Sequence, residues 1–250
     1  MADLYRPADL DVRLRAVAHG LGMIAGAFVV ALLLVTLAGQ ALALVGVDLQ
    51  PNGVGTYVVS AVLQFAGFVA AALGYLWYRD DFSLVWFRQP TLRDAGWAVL
   101  ALVGLFVVNF SVGVVSTLLG AESAQNAVVE AGRAHPALFL YMIPITVFLV
   151  APGEELVFRG VVQGWFRRAF GVVPAIVGAS LLFGVVHAGA LVGGGKLVYI
   201  AGAVLLGLVL GAVYEHTENV LVSIAAHGLW NTFLFVVNYL VATGAIAAHS

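Results

Sequence analysis

Seven long stretches of this chain contain no Asp, Glu, Lys or Arg, and this pattern limits the possible folds more than any other feature. They cover residues 16–47, 49–78, 95–121, 134–153, 169–195, 197–214 and 219–250. A helix needs roughly 20 apolar residues to cross about 30 Å of hydrocarbon. None of the stretches alternates apolar and polar residues as a transmembrane barrel does. The sequence therefore predicts an all-α polytopic membrane bundle of about seven helices, with an eighth, half-length or re-entrant element left open.

Composition supports the same class. Apolar residues make up 62% of the chain and charged residues only 10%, whereas soluble domains have about 25% charged residues. This excludes a soluble enzyme, a nucleic-acid binder and a disordered segment, and the net charge of −2 gives no reason to expect a polyanionic partner. The absence of cysteine from the sequence excludes disulfides, a thiolate nucleophile and a cysteine-based zinc site.

The basic residues predict an orientation. Under seven crossings one side of the membrane carries eight of them and the other side two, Arg133 and Lys196. The eight are Arg6, Arg13, Arg15, Arg79, Arg88, Arg93, Arg167 and Arg168. Cytoplasmic loops carry the excess of Lys and Arg, so we expect an integral multi-pass protein of the cell membrane with a cytoplasmic N-terminus. Aromatic and charged residues mix in Asp80–Pro90, which predicts an interfacial segment.

Several ionisable or amide side chains fall inside the predicted spans, where each is costly and therefore a candidate functional group. Glu154, Glu155 and Arg159 form one cluster, and Glu155 and Arg159 can pair at i and i+4 of a helix. Glu154 is then left without a local counter-ion. The other candidates are His187 and, on one face of a later helix, His227 with Asn231.

A structural role is the competing interpretation for each group alone. A lone histidine in a span is often only a hydrogen-bonding residue, and a Glu155–Arg159 pair is more often structural than catalytic. However, a rise of 1.5 Å per residue places Glu154, His187, His227 and Asn231 in a band about 10 Å deep. Because four expensive groups scattered at random would gain nothing, we expect them to share one cavity.

These residues include the chemical groups that amide hydrolysis needs. A carboxylate in an apolar wall can act as general base on a water molecule, and a nearby histidine can hold that water or relay a proton. A second histidine and an amide can donate hydrogen bonds to the developing oxyanion. Glu154, His187 and His227 could equally form a His₂Glu site for a metal such as zinc.

The sequence leaves the metal question open and slightly favours a metal-free water activated by Glu154 and His187. A metal-ligating histidine usually donates its other ring nitrogen to a carboxylate or carbonyl group. Glu155 is the acid close in sequence to the proposed ligands, and Arg159 can already occupy it. No H-E-x-x-H motif is present in the sequence, which excludes a zincin-type site.

Three motifs in this order resemble the CPBP family, which comprises CAAX-processing endopeptidases and bacteriocin-processing or self-immunity proteins, also called Abi. They are E-E-x-x-x-R at Glu154, Glu155 and Arg159, F-x-x-x-H at Phe183 and His187, and H-x-x-x-N at His227 and Asn231. The resemblance covers about residues 150–235. It implies a catalytic membrane domain over 136–250, preceded over 1–135 by three generic spans and the interfacial segment.

What the resemblance implies is an intramembrane endopeptidase, in a family often labelled metalloprotease. By motif position Glu154 activates water beside His187, and His227 and Asn231 stabilise the oxyanion. Glu155, Arg159 and Phe183 are supporting residues. The implied partners are the lipid bilayer and a membrane-anchored or lipidated peptide substrate, and no nucleic acid.

Two other classes stay open: a non-catalytic immunity or scaffold protein of the same fold, and a proton-coupled transporter, for which intramembrane Glu and His are also apt. A transporter favours two symmetric halves with broken helices, which the sequence does not show.

Overall fold

The computed structural model describes residues 3–5 and 8–247, and most of this part of the chain is helical. Seven helices of the described residues are long and apolar enough to span a membrane, which confirms the predicted all-α polytopic bundle. They are α1 (Leu10–Leu44), α2 (Val54–Arg79), α3 (Leu92–Leu118), α5 (Ala137–Phe170), α6 (Val172–Val186, extended by a 3₁₀ turn His187–Ala190), α7 (Lys196–Thr217) and α8 (Val220–Ala242). The short helix α4 (Ala127–Ala134) and the strands β1 (Gln125–Asn126) and β2 (Leu191–Val192) complete the fold.

The two ends of the bundle differ in charge. The end at which α1, α3, α6 and α8 begin and α2, α5 and α7 finish is called the basic face here. It carries Arg13, Arg15, Arg79, Arg88, Arg93, Arg167 and Arg168, whereas Arg6 lies outside the described residues. The other end, called the opposite face, carries α4, the antiparallel pair β1–β2, Arg133 and Lys196.

Helix α5 is the centre of the bundle and is not a uniform α-helix. Two π-helical segments, Thr146–Val150 and Leu156–Val162, flank the α-helical turn Ala151–Glu155. Pro152 has no amide hydrogen and cannot complete the regular bonding pattern of a helix interior. The amide of Ala151 instead bonds to the carbonyl of Thr146, five residues earlier. Such wide turns often accompany functional sites, and here they lie on both sides of the paired glutamates.

Close helix packing depends on glycine at two contacts. A Cβ atom at Gly67 of α2 would lie 2.8 Å from the Cα atom of Ala31, so this glycine lets α1 and α2 touch along their backbones. A Cβ atom at Gly164 of α5 would lie 2.7 Å from the carbonyl oxygen of Leu84. Small residues at helix interfaces are a common device in membranes, where close van der Waals packing holds helices together.

The segment Asp80–Pro90, predicted to lie at the interface, enters the bundle and closes its basic face. Phe82 and Phe87 are exposed, but Leu84 is completely buried against α5. The hydroxyl of Tyr214 accepts a hydrogen bond from the Trp86 amide, and the Trp86 carbonyl accepts one from the Val220 amide. The segment therefore ties α7 and α8 to the end of α5.

Ion pairs strengthen this closure. Arg168 bonds to Asp81 with both terminal nitrogens, at 2.5 and 2.9 Å. The Arg168 hydrogen bonds lower the pKa of the Asp81 carboxyl to about 2, so the pair stays charged at neutral pH. Arg167 lies 2.9 Å from Glu215 and stacks on the ring of Trp86, and both charged side chains are nearly buried.

Candidate active site

The four predicted site residues meet at one cavity. Glu154 projects from the middle of α5, His187 begins the turn after α6, and His227 and Asn231 share a face of α8. All four line a cavity of about 510 Å³. Three separate helices thus bring together the groups that the sequence placed at a common depth.

His227 lies between the two glutamates of α5. Its Nδ1 atom is 2.9 Å from Oε1 of Glu155, and its Nε2 atom is 3.5 Å from Oε2 of Glu154. Glu155 is completely buried, whereas the side chain of Glu154 keeps 13% of its surface exposed in the cavity. The bond to Glu155 therefore fixes the imidazole so that Nε2 faces Glu154 and the cavity.

Arg159 pairs with Glu155, and both side chains are completely buried. Its Nε atom lies 3.3 Å from Oε2 of Glu155, and its guanidinium group stacks over the ring of Phe183 at 4.8 Å. The same phenyl ring contacts His187 and His227, with ring centroids 4.6 and 6.0 Å apart. Phe183 thus packs between Arg159 and the two histidines, while His227 keeps its direct bond to Glu155.

His187 is anchored by its own helix. Its Nδ1 atom lies 2.7 Å from the carbonyl oxygen of Phe183, one helical turn earlier. A carbonyl oxygen only accepts, so this ring nitrogen donates and the other, Nε2, is left to accept a hydrogen bond from a water molecule. The ring also packs near Tyr199 of α7, with centroids 6.3 Å apart.

Asn231 is oriented by Thr146. The amide nitrogen of Asn231 donates a hydrogen bond of 3.2 Å to the hydroxyl of Thr146, a completely buried residue in the first π-helical segment of α5. One amide hydrogen is used in this way, which leaves the second available to a ligand in the cavity.

Sequence reasoning missed the neutral polar residues of the cavity wall: Tyr57, Ser60 and Gln64 of α2, Asn126 before α4, Thr146 of α5 and Tyr199 of α7. A signal existed for the first three, because residues 57, 60 and 64 share one face of a helix. This signal was weak, because burying a neutral polar group in a membrane costs far less free energy than burying a charged one.

Glu154, His187 and His227 are the residues that would hold a metal ion if the reaction uses one. Within residues 3–5 and 8–247 no group of three or more His, Asp or Glu side chains is arranged so that it could hold a metal ion. The Nδ1 atoms of His187 and His227 bond to the carbonyl oxygen of Phe183 and to the carboxylate of Glu155, the kind of partner that a metal-ligating histidine usually has. The choice between a metal-bound and a metal-free water therefore stays a prediction. Glu155 bonds to His227 as well as to Arg159, so its pair with Arg159 does not prevent it from supporting a ligating histidine.

The chemistry that this arrangement permits is hydrolysis. The Glu154 carboxylate faces the cavity, and Nε2 of His187 can accept a hydrogen bond from a water molecule. His227 and Asn231 can donate hydrogen bonds to an oxygen atom of a ligand. Aromatic residues form much of the remaining wall, including Phe28, Phe65, Phe68 and Phe158. A few polar groups in a mostly apolar cavity is the usual form of a binding site for an apolar or peptide ligand.

Comparison with known proteins gives two matches. Residues 136–233 match the family model of Rce1-like type II CAAX prenyl endopeptidases. A protein of Bacillus subtilis (strain 168) with the provisional name membrane peptidase YdiL is 26% identical to this chain over 161 residues. That alignment covers 59% of this chain and 62% of the relative, so the chain spans less than two thirds of the relative's length. No solved structure matches the chain.

Proposed function

We propose that this protein, whose residues 136–233 match the Rce1-like family model, is an intramembrane endopeptidase that hydrolyses peptide bonds with a water molecule activated by Glu154. The convergence of Glu154, His187, His227 and Asn231 on one cavity is the observation that supports this function best. The catalytic domain is residues 136–250, and residues 1–135 supply supporting spans and, through α2, one wall of the cavity.

Water activation is the first step. Glu154 takes a proton from a water molecule that also donates a hydrogen bond to Nε2 of His187. The water oxygen then forms a bond to the carbonyl carbon of the scissile amide, and the carbonyl oxygen becomes an oxyanion. General-base catalysis of this kind contributes about 10²–10⁴-fold to the rate.

Oxyanion stabilisation falls to α8. When His227 is protonated, its Nδ1–H bonds to the Glu155 carboxylate and its Nε2–H can donate to the oxyanion beside the free amide hydrogen of Asn231. Arg159 lies next to the second carboxylate oxygen of Glu155 and compensates its negative charge in the buried interior. The intermediate collapses when the C–N bond breaks and the nitrogen takes the proton held by Glu154, directly or through His187.

The contribution of Asn231 can be measured separately. We expect Asn231→Ala to lower kcat by about 10²–10³-fold, the usual effect of removing one oxyanion donor. Asn238→Ala is the matched control, because Asn238 lies on the same helix and donates only to the carbonyl of Leu234. Near-normal turnover of the purified Asn231→Ala protein would remove this residue from the mechanism.

Metal removal tests the water-activation step. If Glu154 and His187 activate the water without a metal, exhaustive chelation should leave the rate of hydrolysis unchanged. Elemental analysis of the active protein provides the second readout. Stoichiometric zinc that is lost together with activity, and restored with it, would contradict a metal-free Glu154 mechanism.

The substrate of this enzyme is a peptide segment anchored in the bilayer by a lipid or by its own apolar residues. The apolar wall of the cavity suits such a ligand, and the protein is itself embedded among lipids. An immunity or scaffold protein of the same fold would have no need of a cavity-facing carboxylate beside an imidazole. We also propose that the N-terminus is cytoplasmic and that the protein lies in the cell membrane.

A further inference from the structure

The substrate reaches this site from one side of the membrane, and the structure indicates which side. We propose that the cavity opens to the extracytoplasmic side and takes peptide segments from the outer half of the bilayer or from outside the cell. This inference rests on the proposed peptidase function and names the side from which its substrate comes. It follows from the depth of the cavity, the closure of the basic face, and the distribution of basic residues.

The cavity occupies one half of the bundle. Its deepest groups are near the middle: Glu154 lies about 25 Å from Ala137 and about 24 Å from Phe170 along α5, at 1.5 Å per residue. From there most of the lining runs toward the opposite face, and Phe158, one turn beyond Glu154, is its last residue on α5 toward the basic face. It runs along residues 57–68 of α2, 142–158 of α5, 186–190 after α6, and 227–235 of α8, and it includes Tyr199 and residues 126–129 of the loop and α4.

The half beneath the basic face is closed. Leu84 is completely buried there, and Gly164 lets its carbonyl oxygen approach the backbone of α5. Phe166 and the Arg167–Glu215 pair fill the same end of the bundle. Among the described residues, those that line the cavity include none from the Asp80–Pro90 segment and none from α5 beyond Phe158. A peptide that approached this face would meet packed side chains and buried ion pairs.

The basic residues assign the two faces to the two sides of the membrane. Seven of the Arg and Lys residues within the described ranges lie at the basic face, against Arg133 and Lys196 at the opposite face. Lysine and arginine near the ends of spans accumulate on the cytoplasmic side, and acidic residues have little influence. The basic face is therefore cytoplasmic, and the cavity opens on the other side.

The consequence concerns the class of substrate. The cavity wall combines aromatic side chains with Tyr57, Ser60 and Gln64, which are half-buried on the face of α2 that lines the cavity. For these three polar groups the described residues provide no hydrogen-bond partner, so they can bond to the backbone of an extended peptide. A scissile bond in the outer leaflet or just outside it can reach Glu154. A motif exposed only in the cytoplasm would have to cross the closed half of the bundle.

Thiol labelling can test this inference without any assay of hydrolysis, because the natural sequence has no cysteine. Single-cysteine variants Ser60→Cys in the cavity, Ser123→Cys at the opposite face and Gln89→Cys at the basic face would be treated with a charged, membrane-impermeant methanethiosulfonate. Right-side-out and inside-out vesicles would be compared. Labelling after detergent solubilisation verifies that each thiol can react.

We expect Ser60→Cys and Ser123→Cys to react at least about tenfold faster in right-side-out vesicles, since a charged reagent crosses the bilayer poorly. Gln89→Cys should show the reverse. Labelling of Ser60→Cys together with Gln89→Cys would overturn the inference, as would a Ser60→Cys thiol that reacts only after solubilisation. Labelling does not depend on catalysis. A protein that labels as expected but never hydrolyses a peptide would therefore contradict the proposed function and leave the direction of the opening intact.

Discussion

Replacing Glu154 with glutamine is expected to lower the rate of peptide hydrolysis by about 10²–10⁴-fold, the usual share of a general base. Glutamine keeps the shape of the side chain but cannot take a proton from water. The measurement is kcat of the purified variant in proteoliposomes, with thermal unfolding to verify that the protein is folded. Glu130→Gln is the control, because Glu130 lies on α4 in an exposed pair with Arg133.

The position of Glu154 explains why a large effect without loss of the fold is expected. Its carboxylate faces the cavity, 3.5 Å from His227, whereas its neighbour Glu155 is completely buried in the ion pair. Loss of the Glu154 charge therefore removes a cavity group and leaves the buried pair unchanged. Near-normal turnover in Glu154→Gln would mean that another group activates the water.

Replacing Arg159 with alanine is expected to destabilise the folded protein by about 3–5 kcal/mol, because the Glu155 charge would then be stranded in the interior. The readouts are folded yield and the midpoint of thermal unfolding in detergent. Arg133→Ala is the control, since its pair with Glu130 is exposed and such pairs contribute little.

A double variant separates stability from chemistry at this pair. Glu155→Leu with Arg159→Met removes both charges, so it should recover much of the lost stability. It should not recover activity, because His227 loses the carboxylate that fixes its ring. An Arg159→Ala protein with wild-type thermal stability but no activity would contradict the structural role and place Arg159 in substrate binding or catalysis.

The spans and the depth of the site could be predicted because charges are so costly in hydrocarbon that their positions mark helix ends and functional groups. Helix α5 shows the limit of this rule. The charge-free stretch stops before Glu154, yet the helix continues to Phe170. It can do so because Arg159 pairs with Glu155 and Arg167 pairs with Glu215 inside the bundle, which compensates their charges.

Contacts between distant helices could not be predicted in the same way. The bond between His227 and Glu155 joins residues 72 positions apart and depends on how α5 and α8 rotate against each other. The π-helical segments alter that rotation, and the sequence gives little warning of them apart from Pro144 and Pro152. His19, which had no role in the sequence analysis, bonds to Tyr75 at 2.9 Å and stacks on Trp165.

The interfacial segment illustrates a third limit. Its aromatic and charged composition suits the headgroup region, and Phe82 and Phe87 are indeed exposed. The burial of Leu84 depends instead on the space left by Gly164 on a helix that is distant in sequence. Composition gives the average environment of a segment, whereas insertion of one side chain is decided by the shape of its neighbours.

Hydrolysis in ¹⁸O-labelled water tests the central claim most directly. Purified protein in proteoliposomes would be incubated with a set of synthetic transmembrane peptides, and the products would be analysed by mass spectrometry. The account predicts new carboxyl termini that carry ¹⁸O with the wild-type protein, and a drop of about 10²–10⁴-fold in their formation with Glu154→Gln. Equal product formation by folded Glu154→Gln, or no cleavage of any peptide by the wild-type protein, would contradict the assignment of a Glu154-dependent intramembrane peptidase.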